Sequence, residues 1–130
     1  MKKFIKQFFL ITLSISLMFL AYVFKVQAIS DVNWKLIFEN NDGKQWIDLG
    51  SLKKFKNDEI SVLTKYFKNP NETNKNGETF LYVMKINCET AKYKDISVNG
   101  VYQFRAKWKS SNNDELIDRV IESTCTYRDI

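Results

Sequence analysis

Histidine is absent from this 130-residue chain, and it has only two cysteines, one proline and four glycines. Without histidine, the commonest general base near neutral pH, the usual nucleophile-base triads and the most frequent metal ligand are all missing. Carboxylates are the other route to acid-base chemistry. Asp42, Asp58 and Glu59 fall in turn-like contexts, however, and Asp114, Glu115, Asp118 and Glu122 read as the cap and solvated face of a helix. Carboxylate pairs remain possible, but these contexts do not predict an acid and a base held across a cleft. The sequence has no Cys/His cluster, no EF-hand spacing and no phosphate-binding glycine loop. The residues therefore name no catalytic group, metal ligand or cofactor, and a chain that is not an enzyme is expected. The scarcity of proline and glycine also leaves no linker, and there is no internal repeat. Residues 29–130 read as a single domain.

Long apolar runs are confined to the N-terminus. Lys2, Lys3 and Lys6 precede an apolar stretch from Phe8 to Phe24, and Val26, Gln27 and Ala28 give the small-x-small pattern of a signal-peptidase site. Residues 1–28 are expected to be a signal peptide, and the alternative is an uncleaved inner-membrane anchor. Either way the lysines hold the N-terminus in the cytoplasm and the rest is extracytoplasmic, periplasmic or secreted. The leader also carries much of the apparent basicity. The whole chain has 20 Lys+Arg against 15 Asp+Glu, but Lys2, Lys3, Lys6 and Lys25 belong to the leader, which has no acid, so 16 against 15 remain. A net charge near +1 removes the global argument for nucleic-acid binding, which needs a cationic surface.

Cys88 and Cys125 both lie in the exported part, where an even pair reads as a disulfide. Closing a loop of this length stabilises a small domain by roughly 3 to 4 kcal/mol in the chain-entropy model. The rival reading, a redox or nucleophilic thiol pair, has neither a CxxC spacing nor a histidine behind it.

Strand signals fill most of the remainder. Trp34 to Glu39 alternate, Asn40-Asn41-Asp42-Gly43 signals a turn, and Gln45 to Leu49 form the return strand of a hairpin. Ile60 to Phe67 and Thr79 to Asn87 are the next two runs, and Lys53 to Asp58 reads as a turn or irregular segment. The polar stretch Lys68 to Glu78 is a long exposed loop, either a binding loop or a variable tip, and it contains the sequon-like Asn71-Glu72-Thr73. In Val98-Asn99-Gly100-Val101, Asn-Gly predicts a two-residue type I′ hairpin. Extended along its arms, that register sets Lys94 opposite Arg105 and Lys92 opposite Lys107. Lys92, Lys94, Arg105 and Lys107 thus form a candidate cationic patch for an acidic protein, an anionic polymer or a lipid headgroup, unless nearby acids or a bulge neutralise them. Aromatics such as Trp34, Trp46, Trp108, Phe80, Tyr82 and Phe104 at strand spacing are expected in the core. From Asn113 onward, Leu116, Ile117, Val120 and Ile121 recur at helical spacing, with Ser111 and Asp114, or Asn113, as candidate caps.

This layout resembles the surface-adhesin protein E-like family of exported bacterial proteins. The residues that carry the likeness are Trp34, Trp46-Ile47-Asp48-Leu49 followed by Ser51-Leu52-Lys53, Ile86-Asn87-Cys88, and the closing helix that runs into Ser123-Thr124-Cys125. The resemblance spans Asn33 to Tyr127 and implies an α+β fold. The resemblance implies a mostly six-stranded antiparallel meander with a helix packed on it, and the residues themselves give five or six strands with one C-terminal helix pinned to the sheet by the disulfide. It further implies binding to host extracellular-matrix or plasma proteins, and homodimers. The leader lacks the lipidated cysteine of the surface-displayed adhesin, and no ligand motif of the family matches residue by residue. The expected function is an exported, non-enzymatic binding module of the bacterial envelope with an unnamed protein or anionic partner and no nucleic acid. The alternative is a small ligand carrier or hydrolase-like domain with a pocket between sheet and helix, marked by unpaired polar groups beside Asp48, Asp95 or Tyr82.

Overall fold

The structure, a computed structural model, describes residues 31–129, so the leader reading for residues 1–28 lies outside the described residues. Six strands run in chain order: β1 (Trp34–Glu39), β2 (Gly43–Lys54), β3 (Glu59–Lys68), β4 (Glu78–Asn87), β5 (Lys92–Val98) and β6 (Val101–Tyr102). Each pairs antiparallel with the next in a single sheet of order β1-β2-β3-β4-β5-β6. One helix, α1 (Glu115–Cys125), follows. The expected meander with a C-terminal helix is the observed fold.

Local chemistry sets the turns. Asn40 Oδ1 accepts hydrogen bonds from the backbone N–H groups of Asp42 (2.9 Å) and Gly43 (3.0 Å), fixing the β1-β2 turn. Asn99 and Gly100 have φ of 47° and 80°, the paired positive angles a type I′ loop requires. The Asn99 side chain also accepts from Leu81 N–H at 2.8 Å, tying the loop to β4.

Two segments depart from the sequence reading. β2 continues to Lys54 because an irregularity between Asp48 and Lys53 absorbs the extra residues. Within it, Asp48 Oδ1 accepts from Gly50 N–H at 3.0 Å, and Ser51 Oγ accepts from Leu63 N–H at 2.8 Å. Leu49 and Leu52 can then both pack on the core. The β5-β6 hairpin keeps its predicted register at Val98↔Val101 and Ser97↔Tyr102, but β6 ends there. The chain turns at residues 103–106, with Ala106 N–H donating to Gln103 C=O at 3.2 Å, and returns so that Tyr93 pairs with Lys109. The extrapolated register would have set Tyr93 against Ala106. The turn loops out three residues, and the predicted Lys94–Arg105 and Lys92–Lys107 pairs do not form.

The closed core is aliphatic, made of Ile47, Val62, Met84, Ile86, Val120 and Ile121. Among the described residues no aromatic side chain is fully buried in it: Tyr82, Tyr93 and Tyr127 pack against its edge, whereas Phe104 and Trp108, expected in the core, are exposed. Helix length gives the reason. Eleven residues of α1 span about 16 Å at ~1.5 Å each, whereas the ten-residue strands β3 and β4 span about 33 Å at ~3.3 Å each. One short helix covers about half of this sheet, and branched aliphatics fill the layer beneath it. Cys88, just after β4, is bonded to Cys125 at the helix C-terminus with a Cα–Cα distance of 5.6 Å, so the covered half is the one at that end.

A candidate ligand-binding cleft between sheet and helix

At the other end of the sheet the same face is open. The helix-facing row of each central strand changes character along its length. On β2, Ile47 gives way to Gln45; on β3, Ile60 and Val62 give way to Thr64 and Tyr66; on β4, Ile86 and Met84 give way to Tyr82 and Phe80. The register aligns these changes, with Gln45 opposite Tyr66, Ile47 opposite Thr64, Thr64 opposite Tyr82 and Tyr66 opposite Phe80. The result is a cleft of about 560 Å³ floored by Gln45, Thr64, Tyr66 and Tyr82, with Leu116, Ile117 and Val120 of α1 as its wall. Asn40 and Asp42 of the β1-β2 turn edge it, as do Tyr93 and Asp95 of β5 and Asp114 and Glu115 at the helix start.

Each wall has a local cause. Tyr66 fits because Gly43 lies beside it across the β2-β3 pair; a Cβ on Gly43 would come within 2.8 Å of Tyr66 Cε2. Tyr66, Phe80 and Tyr82 then form a row with ring centroids 6.4 Å apart at each step. Asp114 is held at the rim as the N-cap, its Oδ1 accepting from Leu116 N–H (3.0 Å) and Ile117 N–H (3.3 Å). Asn112 and Asn113 precede it with positive φ, so the cap falls on Asp114 itself and not on Asn113. Asp95 accepts from Lys109 Nζ at 3.1 Å.

The floor is polar and incompletely satisfied. Gln45 is 1% exposed, its Nε2 makes a long 3.4 Å contact to Trp46 C=O, and its Oε1 accepts no hydrogen bond. A buried acceptor left without a donor costs roughly 1 to 3 kcal/mol, so this one calls for a reason. Thr64, fully buried beside it, donates only to Met84 Sδ at 3.7 Å.

The electrostatics are negative. Burial raises the Tyr66 hydroxyl above the ordinary phenol range, and the charges of Asp42 and Asp114 raise it further. Burial likewise raises Tyr82, with Asp95 next and then Tyr66 and Glu78. Tyr93 is raised by burial, lowered by Lys109 and raised by Asp95 and Asp114. Among the described residues there is no group of His, Cys, Asp or Glu that could hold a metal ion.

The sequence-predicted sites are distributed differently. Asp95 and Tyr82, two of the three markers for a pocket, line this cleft. Asp48, the third, faces away from it and secures the start of β1 by accepting from Asn33 N–H at 2.7 Å. Of the four cations, Lys92 lies opposite Asn87 and Lys94 opposite Lys85 in the β4-β5 pair. The Lys85 charge is met by Glu59, and Lys94 Nζ lies 4.5 Å from the Trp108 ring. Arg105 and Lys107 are exposed in the segment after β6. The sheet face turned away from α1 carries further lysine-aromatic contacts, foremost Lys65 Nζ at 4.5 Å from the Trp34 ring and 4.6 Å from the Trp46 ring. Gln45, Tyr66, Asp42 and Asp114 are cleft residues that sequence reasoning missed. The available signal was the change from aliphatic to polar or aromatic at matching ends of three aligned strands.

The fold and cleft define a disulfide-tethered sheet-and-helix unit with an open, polar-floored groove. The family model described as Surface adhesin-E family matches residues 35–129, and the chain belongs to that family. No curated protein and no solved structure matches it.

Proposed function

We propose that this protein is an exported, non-enzymatic binding module of the bacterial cell envelope that takes its ligand in the cleft between sheet and helix. The observation that carries this reading is the buried, unpartnered Gln45 Oε1 on the floor of a 560 Å³ cleft, a polar-studded concavity of the size ligand sites use. Export is supported by the leader pattern and by the Cys88–Cys125 bond, which suits an oxidising compartment. Surface adhesion is the role the family name suggests, with host matrix or plasma proteins as the partners to test.

The test sets the cleft against the cationic hairpin. Leu116→Trp fills the cleft wall, whereas Lys94→Glu with Arg105→Glu inverts charge at the hairpin; both are compared with wild type for binding to immobilised extracellular-matrix and plasma proteins at low salt. Loss of binding with Leu116→Trp alone, at an unchanged melting temperature, supports the cleft. Loss with the charge inversion alone overturns the cleft reading and moves the surface to Lys92, Lys94, Arg105 and Lys107. The intact mass of the envelope-purified protein, alkylated without reduction, tests export. An unlabelled mass of residues 29–130 is expected, and a full-length mass would make the leader an anchor.

A further inference from the structure

The cleft's lining narrows the chemistry of what it binds. We infer that the cleft receives the primary ammonium group of an alkyl chain, supplied by a lysine side chain or by a free diamine. This inference rests on the reading of the cleft as the ligand site.

Charge comes first. Asp42, Asp95, Asp114 and Glu115 edge the cleft, and no lysine or arginine lines it. Lys109, the cation paired with Asp95, approaches from outside the lining. An anionic ligand would meet these carboxylates, and the helix N-terminus that would otherwise attract it is already occupied by Asp114. Acceptors come second. The buried Gln45 Oε1 has no donor, and an ammonium is a group of three donors and no acceptor. Oε1 is closed to solvent, so an ammonium satisfies it once the Gln45 side chain turns toward the cleft, and it brings no unpaired acceptor of its own. Aromatic surface comes third. Tyr66, Tyr82 and Tyr93 line the same space, and phenol rings attract cations held near their faces. Burial is the first cause that raises these three phenols, and Asp42, Asp95 and Asp114, the carboxylates already placed at the rim, raise them further. Leu116 and Ile117 along the wall supply an apolar surface for the methylenes behind the ammonium.

A neutral polyol could also hydrogen-bond to tyrosine hydroxyls, so the experiment separates charge from shape. The disulfide-intact protein is titrated by amide-resolved NMR with 1,5-diaminopentane and with Nα-acetyl-lysine methylamide. The controls are 1,5-pentanediol and the same lysine derivative acetylated at Nε. Shifts at Gln45, Thr64, Tyr82 and Ile117 with the ammonium compounds alone are expected. Asp95→Asn and Asp114→Asn, the latter retaining a cap acceptor, should each weaken binding by roughly tenfold, as loss of a charge-assisted contact does. Gln45→Leu, which removes the unpartnered amide without opening the core, should weaken it similarly while leaving the fold intact. Binding of the lysine derivative identifies a side chain as the source, and binding of the diamine alone identifies a free amine. Equal binding of the diol or the Nε-acetylated compound overturns the ammonium inference and leaves the cleft reading standing. If no probe shifts the cleft, the ammonium inference is again overturned; the cleft reading itself fails only if Leu116→Trp leaves matrix binding unchanged.

Discussion

The Lys109 ammonium lies 3.1 Å from Asp95 Oδ2, on the returning segment that pairs with Tyr93 through two backbone hydrogen bonds of 3.0 and 2.8 Å. The hydrogen bond to Asp95 is the main cause that holds Lys109 above the ordinary lysine range. A single cation thereby offsets part of the acidity at one end of the cleft. With its side chain 53% exposed, the pair contributes little to stability, under about 1 kcal/mol. Lys109→Gln should therefore leave the urea midpoint nearly unchanged and strengthen binding of 1,5-diaminopentane about two- to fivefold at low salt, an effect that fades as salt is added. Weaker binding in this variant would place Lys109 in contact with the ligand and contradict its role as a competitor.

A pH dependence follows from the three cleft phenols. Tyr66, Tyr82 and Tyr93 are all raised in the folded state, with burial the first cause at each. Above the unfolded value near 10 the unfolded chain has released these protons and the folded chain still holds them, so unfolding releases protons and stability falls with rising pH. Their contribution is complete below pH 10 and is lost as the pH climbs through the raised folded values. Denaturant unfolding from pH 8 to 11 should show a falling midpoint, and ultraviolet titration of the native protein should lag behind that of the unfolded protein. If Tyr66→Phe with Tyr82→Phe left the slope above pH 10 unaltered, these phenols would not be its source.

The disulfide closes a loop with a sequence separation of 37 and joins the helix end to the sheet end. Removing it restores about 4 kcal/mol of chain entropy to the unfolded state in the loop-closure model. Cys88→Ala with Cys125→Ala should lower the unfolding free energy by about that amount, a large share of the ~5 to 15 kcal/mol typical of small domains. A loss below about 1 kcal/mol would mean that Val120 and Ile121 hold α1 on the sheet without covalent help.

Those two side chains also mark how far the fold was legible in the sequence. Strand-like runs located β1, β3 and β4 and the first half of β2, Asn99-Gly100 located β5 and fixed the two hairpin pairs next to the turn, and the spacing of Leu116, Ile117, Val120 and Ile121 located the helix. Legibility ended where tertiary geometry took over. The three-residue excursion before Lys109 could not be seen in alternation, because a turn with Phe104 89% exposed carries the same residue types as a strand. The cleft was hidden for a related reason. Asp42 and Asp114 read as turn and cap residues, and they are; their charge matters because the register brings both to the rim above Tyr66, a relation between positions 72 residues apart. Aromatic placement failed because the length of sheet left uncovered by an eleven-residue helix is not a local property.

Two glycines test the link between fold and cleft, because each is required for a different reason. At Gly100, φ is +80° and nothing lies within 4 Å of an added Cβ, so alanine there meets only backbone strain. At Gly43, an added Cβ would run into Phe67 C=O and come within 2.8 Å of the Tyr66 ring, so alanine must displace the β2-β3 pair or the ring. Gly100→Ala should cost about 1 kcal/mol and leave ligand binding unaltered. Gly43→Ala should cost about 1 to 3 kcal/mol as an overpacked site, and it should also push Tyr66 into the cleft and weaken binding of the ammonium probes. The double variant Gly43→Ala with Tyr66→Ala gives the new methyl group room on the ring side and should recover part of the stability without recovering binding. If Gly43→Ala alone bound the probes as wild type does, Tyr66 would not be part of the cleft floor that the ligand meets.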